Sequence, residues 1–166
     1  MYYFTADEHY GHTNIIKYCK RPFNSIEEMD ATLIENFNSK VTKADHTIHV
    51  GDFTFKRPEE YIKQLNGTHT FLRGNHDKWM NRTYHEIWVK SIEGQTVVAC
   101  HYAMRVWPQS HHGSYMLYGH SHGKLPPLGL QWDVGVDNNN YYPISFNELK
   151  EIMYSISKKE QKNEIR

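Results

Sequence analysis

Hydrophobic spacing in the first half of the chain switches repeatedly between the two periods of regular structure. Tyr2-Tyr3-Phe4-Thr5-Ala6 reads as a strand, as do the short buried runs Thr47-Ile48-His49-Val50 and Thr70-Phe71-Leu72. Helical patterns separate them. Ser25-Ile26-Glu27-Glu28 reads as a capping box that opens an amphipathic helix through Lys40, with Ile26, Met29, Leu33, Ile34 and Phe37 on its apolar face. Pro58 is placed to open a second helix and Gly67 to close it. Strand, helix and strand therefore repeat, as in an open α/β sheet.

Beyond residue 86 the pattern changes to strands without long helices: Ile87 to Ile92, Thr96 to Cys100, Tyr115 to Tyr118 and Trp132 to Val136. Such runs would supply the second sheet of a sandwich. A second capping box, Ser145-Phe146-Asn147-Glu148, predicts a last helix with Leu149, Ile152, Met153 and Ile156 facing inward. The mostly charged stretch from Lys158 to Arg166 is expected to be a frayed, solvated end. There is no internal repeat and no low-complexity linker, and residues 1–166 read as a single domain.

Composition agrees. With 166 residues, 39% hydrophobic and 14% aromatic, the chain can bury a sizeable core. Nineteen basic residues balance nineteen acidic ones, so no global field holds a polyanion, which disfavours non-specific duplex binding. Cys19 and Cys100 are the two cysteines, and Cys100, in the apolar run Val97-Val98-Ala99-Cys100, reads as a buried free thiol. A reducing, cytoplasmic location is the expectation. The sequence begins directly in a strand and nowhere runs about 18 apolar residues together, so neither export nor membrane spanning is expected.

The candidate chemistry lies at the ends of the strand-like runs. Asp7-x-His9 and His120-x-His122 each place two donors on one side of an extended backbone, so each pair is expected to grip one metal ion. Between them, Gly51-Asp52, Gly74-Asn75-His76-Asp77 and Cys100-His101 deliver single donors just past strand ends, where an open sheet gathers side chains in one crevice. A nitrogen and oxygen donor set without thiolate argues for a hydrolytic pair of divalent ions. A lone carboxylate such as Asp52 can bridge two cations held about 3.5–4 Å apart. Twelve histidines guarantee some accidental spacings, and His46, His49, His69 and His85 read as ordinary structural residues.

Taken together, Asp7-x-His9, Gly51-Asp52, Gly74-Asn75-His76-Asp77, Ala99-Cys100-His101 and Gly119-His120-Ser121-His122 resemble, in order and over residues 7 to 122, the calcineurin-like metallophosphoesterases. The resemblance implies an α/β fold, a four-layer sandwich of two mixed β-sheets flanked by helices, with the metals at one edge. It implies Asp7, His9 and His122 on the first ion, Asn75, His101 and His120 on the second, and Asp52 between them. Two divalent cations are expected, manganese first, with iron, zinc, nickel and magnesium as alternatives. The implied reaction is hydrolysis of a phosphate ester by a metal-bridging hydroxide, with His76 stabilising the departing oxygen or giving it a proton. Asp77 is a candidate to polarise His76, or else to cap the stretch after it.

Substrate-binding candidates are Asn75, His12 in His9-Tyr10-Gly11-His12, and Arg105 and Trp107 in the irregular stretch that also holds His111 and His112. Arg105 could grip a phosphate oxygen and Trp107 stack a base, or each could be a solvated or packing residue. Trp132-Asp133-Val134-Gly135-Val136-Asp137 follows the last motif, with Asp133 where small relatives often carry an Asn. A small phosphomonoester or phosphodiester, cyclic nucleotides included, is the favoured substrate. A nuclease or nucleic-acid end-processing phosphatase is the alternative, served by a basic face from Lys56, Arg57, Arg73, Lys78, Arg82 and Arg105. A non-catalytic scaffold of the same fold is the third reading, disfavoured because every key site residue is present.

Overall fold

A computed structural model describes residues 1–80 and 84–164, excepting the side chains of 160–164. Two four-stranded mixed sheets pack face to face. The first has the order β3-β2-β1-β8, built from β1 (Tyr2–Thr5), β2 (His46–His49), β3 (Thr68–Phe71) and β8 (Ile144–Ser145); β1, β2 and β3 are parallel and β8 runs antiparallel on the edge. The second has the order β4-β5-β6-β7, from β4 (Ile87–Ile92), β5 (Gln95–Cys100), β6 (Tyr115–Tyr118) and β7 (Gln131–Asp133), with only β4 antiparallel to its neighbour.

Strand alternation divides the core into layers. Phe4, Ile48, Val97, Ala99 and Leu117 point between the sheets, where Ala6, Val50, Leu72 and Val134 join them. The long helix α4 (Phe146–Glu164) closes this core with Phe146, Leu149 and Met153, while Ile152 and Ile156 pack at its margin. Ser145 and Glu148 form the reciprocal capping box at its start, with Ser145 Oγ accepting from Glu148 N at 3.2 Å and Glu148 Oε2 accepting from Ser145 N at 2.8 Å. α4 continues through Lys158 to Glu164, so the stretch expected to be a frayed end begins as helix.

Tyr3 on the opposite face of β1 meets α2 (Ile26–Lys40) through Met29, Leu33 and Phe37. Ser25 caps α2 by accepting from Glu28 N at 3.1 Å, but Glu28 reaches back to Asn24 N at 2.7 Å instead of to Ser25. Two short helices, α1 (Thr13–Tyr18) and α3 (Pro58–Ile62), add to the same layer. α1 was not legible from periodicity because one and a half turns carry too few apolar positions. The outer face of the second sheet (Val98, Cys100, Met116, Tyr118) is covered by Ala103, Met104 and Trp107, a loop rather than a helix. No described helix is long and apolar enough to cross a membrane.

Five loops matter for function, and each follows a strand whose neighbours include a parallel partner: residues 6–12 after β1, 50–55 after β2, 72–77 after β3, 101–102 after β5 and 119–123 after β6. Parallel strands share their carboxyl end, so the loops gather on one edge. At that edge Asp7 N donates to Gly51 O within the first sheet and Gly119 N to His101 O within the second, while Val136 N donates to Ala6 O and ties the two sheets together.

Candidate metal centre

Two donor clusters meet at that edge. Asp7, His9 and His122 offer ligand atoms within 4.8 Å of one another, and so do Asp52, His101 and His120. Asn75 Oδ1 lies 3.1 Å from His101 Nε2. His120 and His122 therefore lie in different clusters, the division that the family resemblance implies, and not together as the x-spacing alone suggests. The reason is backbone conformation. Asp7 (φ 57°), His9 (53°), Asp52 (59°), His120 (64°) and His122 (48°) all lie beyond their strands in the left-handed region, where extended alternation does not apply. Each such residue costs about 1 kcal/mol or more, and hydrogen bonds around the site offset the strain.

Those bonds are specific. Asp7 Oδ2 accepts from His120 N at 2.8 Å, and Asp52 Oδ1 accepts from His76 N at 2.8 Å. Buried Arg21 donates to Asp7 O at 2.7 Å and Glu8 O at 3.0 Å, and grips Asp137 through Nε and Nη2 at 2.8 and 2.7 Å. Asp137 Oδ2 in turn lies 2.7 Å from His122 Nδ1, which turns Nε2 of that ring to the cluster. His101 Nδ1 donates to Val50 O at 2.9 Å with the same result. Gly74 leaves space for this arrangement, since a Cβ there would lie 2.2 Å from Asp52 Oδ1 and 2.5 Å from Asp52 N.

The residues fit divalent cations. Asp7 Oδ1 and both ring nitrogens of His9 are buried without a hydrogen-bond partner among the described residues. His9 Nε2 is 3.9 Å from Asp7 Oδ1 and 3.7 Å from Asp52 Oδ2, and His101 Nε2 is 3.4 Å from the same Asp52 oxygen. Ligands of one zinc-like ion lie roughly 3–3.5 Å apart, so small adjustments close the spheres. Asp52 Oδ2 faces both clusters. Charge follows the same logic: burial pushes the Asp7 carboxyl up to about 8, so its ionised form calls for a cation, and lowers His9 to about 3, which keeps that ring in the neutral form that ligates one. Burial would also raise Asp52, but His101 and the His76 N–H outweigh it and hold that carboxylate below its usual range. Burial likewise opposes the charged form of His101, yet its bond to Asp52 raises it to about 9.

Among the remaining candidates, His76 lines the cleft with His9, His12, Asp52, His120 and His122, its ring 5.7 Å from His9 and 5.1 Å from Phe55. His12 is present too, stacked on Phe55 at 3.9 Å. Asp77 has a different role from the one expected. Its oxygens accept from Asp52 N, Gly74 N, Phe53 N and Trp79 Nε1 at 2.6 to 3.1 Å, which clasps the 52 and 74 loops together and leaves His76 without it. Trp107 packs on the outer core of the second sheet and donates to Ser114 O at 3.2 Å, so it is a packing residue. Arg105 is exposed and makes no hydrogen bond or ion pair among the described residues, and exposed His111 and His112 stack on each other at 4.1 Å. Arg82 lies outside the described residues.

Several functional positions escaped the sequence reading. Arg21 and Asp137 carry no periodic signal and are 116 residues apart. Asp133 accepts from Ser121 Oγ, Gly123 N and Gly135 N, each at 2.8 Å, and so holds the His120–His122 loop through a carboxylate. Glu8 is buried beneath the ligand loop, 2.6 Å from His49 Nδ1, and His49 Nε2 lies 3.1 Å from His69 Nδ1. A third triplet, Cys19, His122 and Asp137, shares His122, but its carboxylate is already committed to Arg21.

Asp137→Asn tests the positioning of His122. A carboxylate that fixes a metal-binding imidazole is worth about 10–100-fold in metal affinity. Metal titration should show metal affinity at the His122 cluster weakened by that factor; unchanged affinity would remove Asp137 from the centre.

The chain is similar to known proteins over most of its length. A family model described as the calcineurin-like phosphoesterase superfamily domain matches residues 7–126. An uncharacterized protein of Methanocaldococcus jannaschii is 31% identical over 163 residues, 91% of this chain and 90% of that protein. A protein of unknown function from Aquifex aeolicus has a similar structure, with TM-score 0.70 and 23% identity, covering 92% of this chain and 98% of the other. At that identity the structural likeness shows the fold alone.

Proposed function

The chain belongs to the calcineurin-like phosphoesterase superfamily, and on that premise we propose that it is a dinuclear metal-dependent phosphoesterase that hydrolyses small phosphomonoesters or phosphodiesters. The observation that carries this reading is Asp52 Oδ2, placed between His9 of one donor cluster and His101 of the other. Asp7, His9 and His122 would hold one ion, Asn75, His101 and His120 the second, and Asp52 both. Two divalent ions there, manganese foremost, would polarise the phosphoryl group and activate a water near neutral pH.

The chain's own residues supply what remains. The buried ligands and their clasps hold the centre rigid, so little rearrangement is needed when a phosphate arrives. His76 stands on the wall of the cleft with its main-chain N–H anchored to Asp52, which leaves the ring to give a proton to the departing oxygen. No nucleophilic side chain is required.

The test is to strip the protein of metal and restore Mn²⁺, Ni²⁺, Zn²⁺ or Mg²⁺ separately. A phosphomonoester, a phosphodiester, 2′,3′-cyclic nucleotides and a single-stranded oligonucleotide are then compared across a salt series. Turnover should appear only with metal, favour the small esters and depend weakly on salt, because few Lys or Arg contacts are available to a polymer backbone. A strong oligonucleotide preference that collapses with salt would favour a nuclease instead, and the absence of metal-dependent turnover would favour a scaffold.

A further inference from the structure

The cleft over the ligands, about 240 Å³, is not the whole of the concave surface on this edge. A second cavity of about 260 Å³ is lined by Thr54, Phe55, Lys56, His76, Lys78 and Trp79. His76 lines both, so it is their common wall.

The second cavity has a distinct chemistry. Among the described residues neither Lys56 Nζ nor Lys78 Nζ has a hydrogen bond or an ion pair, and Asp30, the carboxylate that feels the Lys56 charge, already accepts from Gly11 N and Tyr61 Oη, which leaves both ammonium groups to an anion. Phe55 is 43% exposed although it is a large apolar ring, and it is held in place by a face-to-face stack on His12. The segment is laced to the ligand loop: Phe55 N donates to Tyr10 O at 2.9 Å and Thr54 Oγ1 to the same oxygen at 3.1 Å. Gly11, at φ 75°, leaves space for the Lys56 stem, since a Cβ there would lie 2.6 Å from Lys56 Cγ. A flat apolar ring and two cations are thus presented by a fixed backbone. The cavity beyond Asn75, with Arg73, Glu86 and Tyr102, balances one acid against one base and offers no such preference for an anion.

Geometry then assigns the occupant. If His76 serves the departing oxygen, whatever is bonded to that oxygen must lie on the His76 side, which is the second cavity. An aromatic platform takes a nucleobase by stacking, and paired ammonium groups take a phosphate. We propose that this cavity binds the leaving half of the substrate and that the leaving half is itself a nucleotide, with its base on Phe55 and its own phosphate between Lys56 and Lys78. The substrate class is then a phosphate ester of a nucleotide hydroxyl, such as a nucleoside bisphosphate or a dinucleotide. This deepens the phosphoesterase reading and rests on it for the direction in which the leaving group departs.

Equilibrium binding tests the cavity without requiring turnover. A non-hydrolysable methylenephosphonate analogue of adenosine 3′,5′-bisphosphate should bind the metal-loaded protein about tenfold more tightly than either corresponding monophosphonate, a ratio in keeping with two lysine–phosphate contacts. In Lys56→Gln/Lys78→Gln that ratio should fall to about twofold or less, and Phe55→Leu should erase the preference for the adenosine analogue over its base-free counterpart. A ratio near one in the unaltered protein overturns the proposal, as does a ratio that survives the double substitution. If the double variant fails to fold, the ratio in the unaltered protein alone decides. Turnover is followed in parallel: a high binding ratio with no hydrolysis of any ester would sink the phosphoesterase reading and leave the nucleotide cavity standing.

Discussion

Asp52→Ala is expected to abolish turnover and to loosen both metal ions at once. Asp52 Oδ2 is the one donor atom that faces both clusters, 3.7 Å from His9 Nε2 and 3.4 Å from His101 Nε2. In the proposed dinuclear centre, removing it would take a negative charge from between the two cations and leave each with an incomplete set of ligands. Lewis-acid stabilisation of the transition state is worth several kcal/mol, so the rate should fall by about 10³-fold or more. His9→Ala or His101→Ala should mainly weaken one ion, since each contributes to a single cluster. Metal content per chain after dialysis separates these outcomes. Two tightly held ions in Asp52→Ala would show that the carboxylate does not bridge.

His76→Ala should have the opposite signature, keeping the metals and losing the reaction. The main-chain N–H that supports Asp52 survives the substitution, and the ring ligates in neither cluster. General acid catalysis contributes about 10²–10⁴-fold, so turnover of an alkyl ester should fall by that amount. An activated aryl ester needs little help for its leaving group and should lose far less. Equal losses for both esters, with metal content intact, would mean that His76 stabilises phosphoryl charge instead of giving a proton.

How much of this was legible in the chain varied element by element. β6 at Tyr115–Tyr118 and β4 at Ile87–Ile92 coincide with their apolar runs, and both capping boxes mark true helix starts, because burial and end-capping act over a few adjacent residues. Two-residue β8 and six-residue α1 exist only through their neighbours, so their sequences carry no independent signal. The separation of His120 from His122 could not be read from an x-spaced pair, since it depends on left-handed backbone angles that the surrounding hydrogen bonds impose. Asp77 illustrates the same limit: its place beside His76 suggested catalysis, while its partners are four N–H donors, two of them, Asp52 N and Phe53 N, brought from another loop by the fold.

The sequence by itself determined the family, the donor types and the order of the ligand loops, because the identity of a metal-binding side chain and its position at a strand end are properties of short stretches. The resemblance to the family also implied the division of the donors, with Asp52 between; the tertiary structure decided the backbone angles that bring the donors together and that Arg21 and Asp137 set the angle of His122. It also gathered Lys56, Phe55 and Lys78 beside His76 while leaving Arg105 and Trp107 to solvent and packing. The physical reason is range. Burial patterns and caps are local, whereas ligand geometry, charge pairing and cavity shape arise between residues that only the crossovers of two sheets bring within a few ångströms.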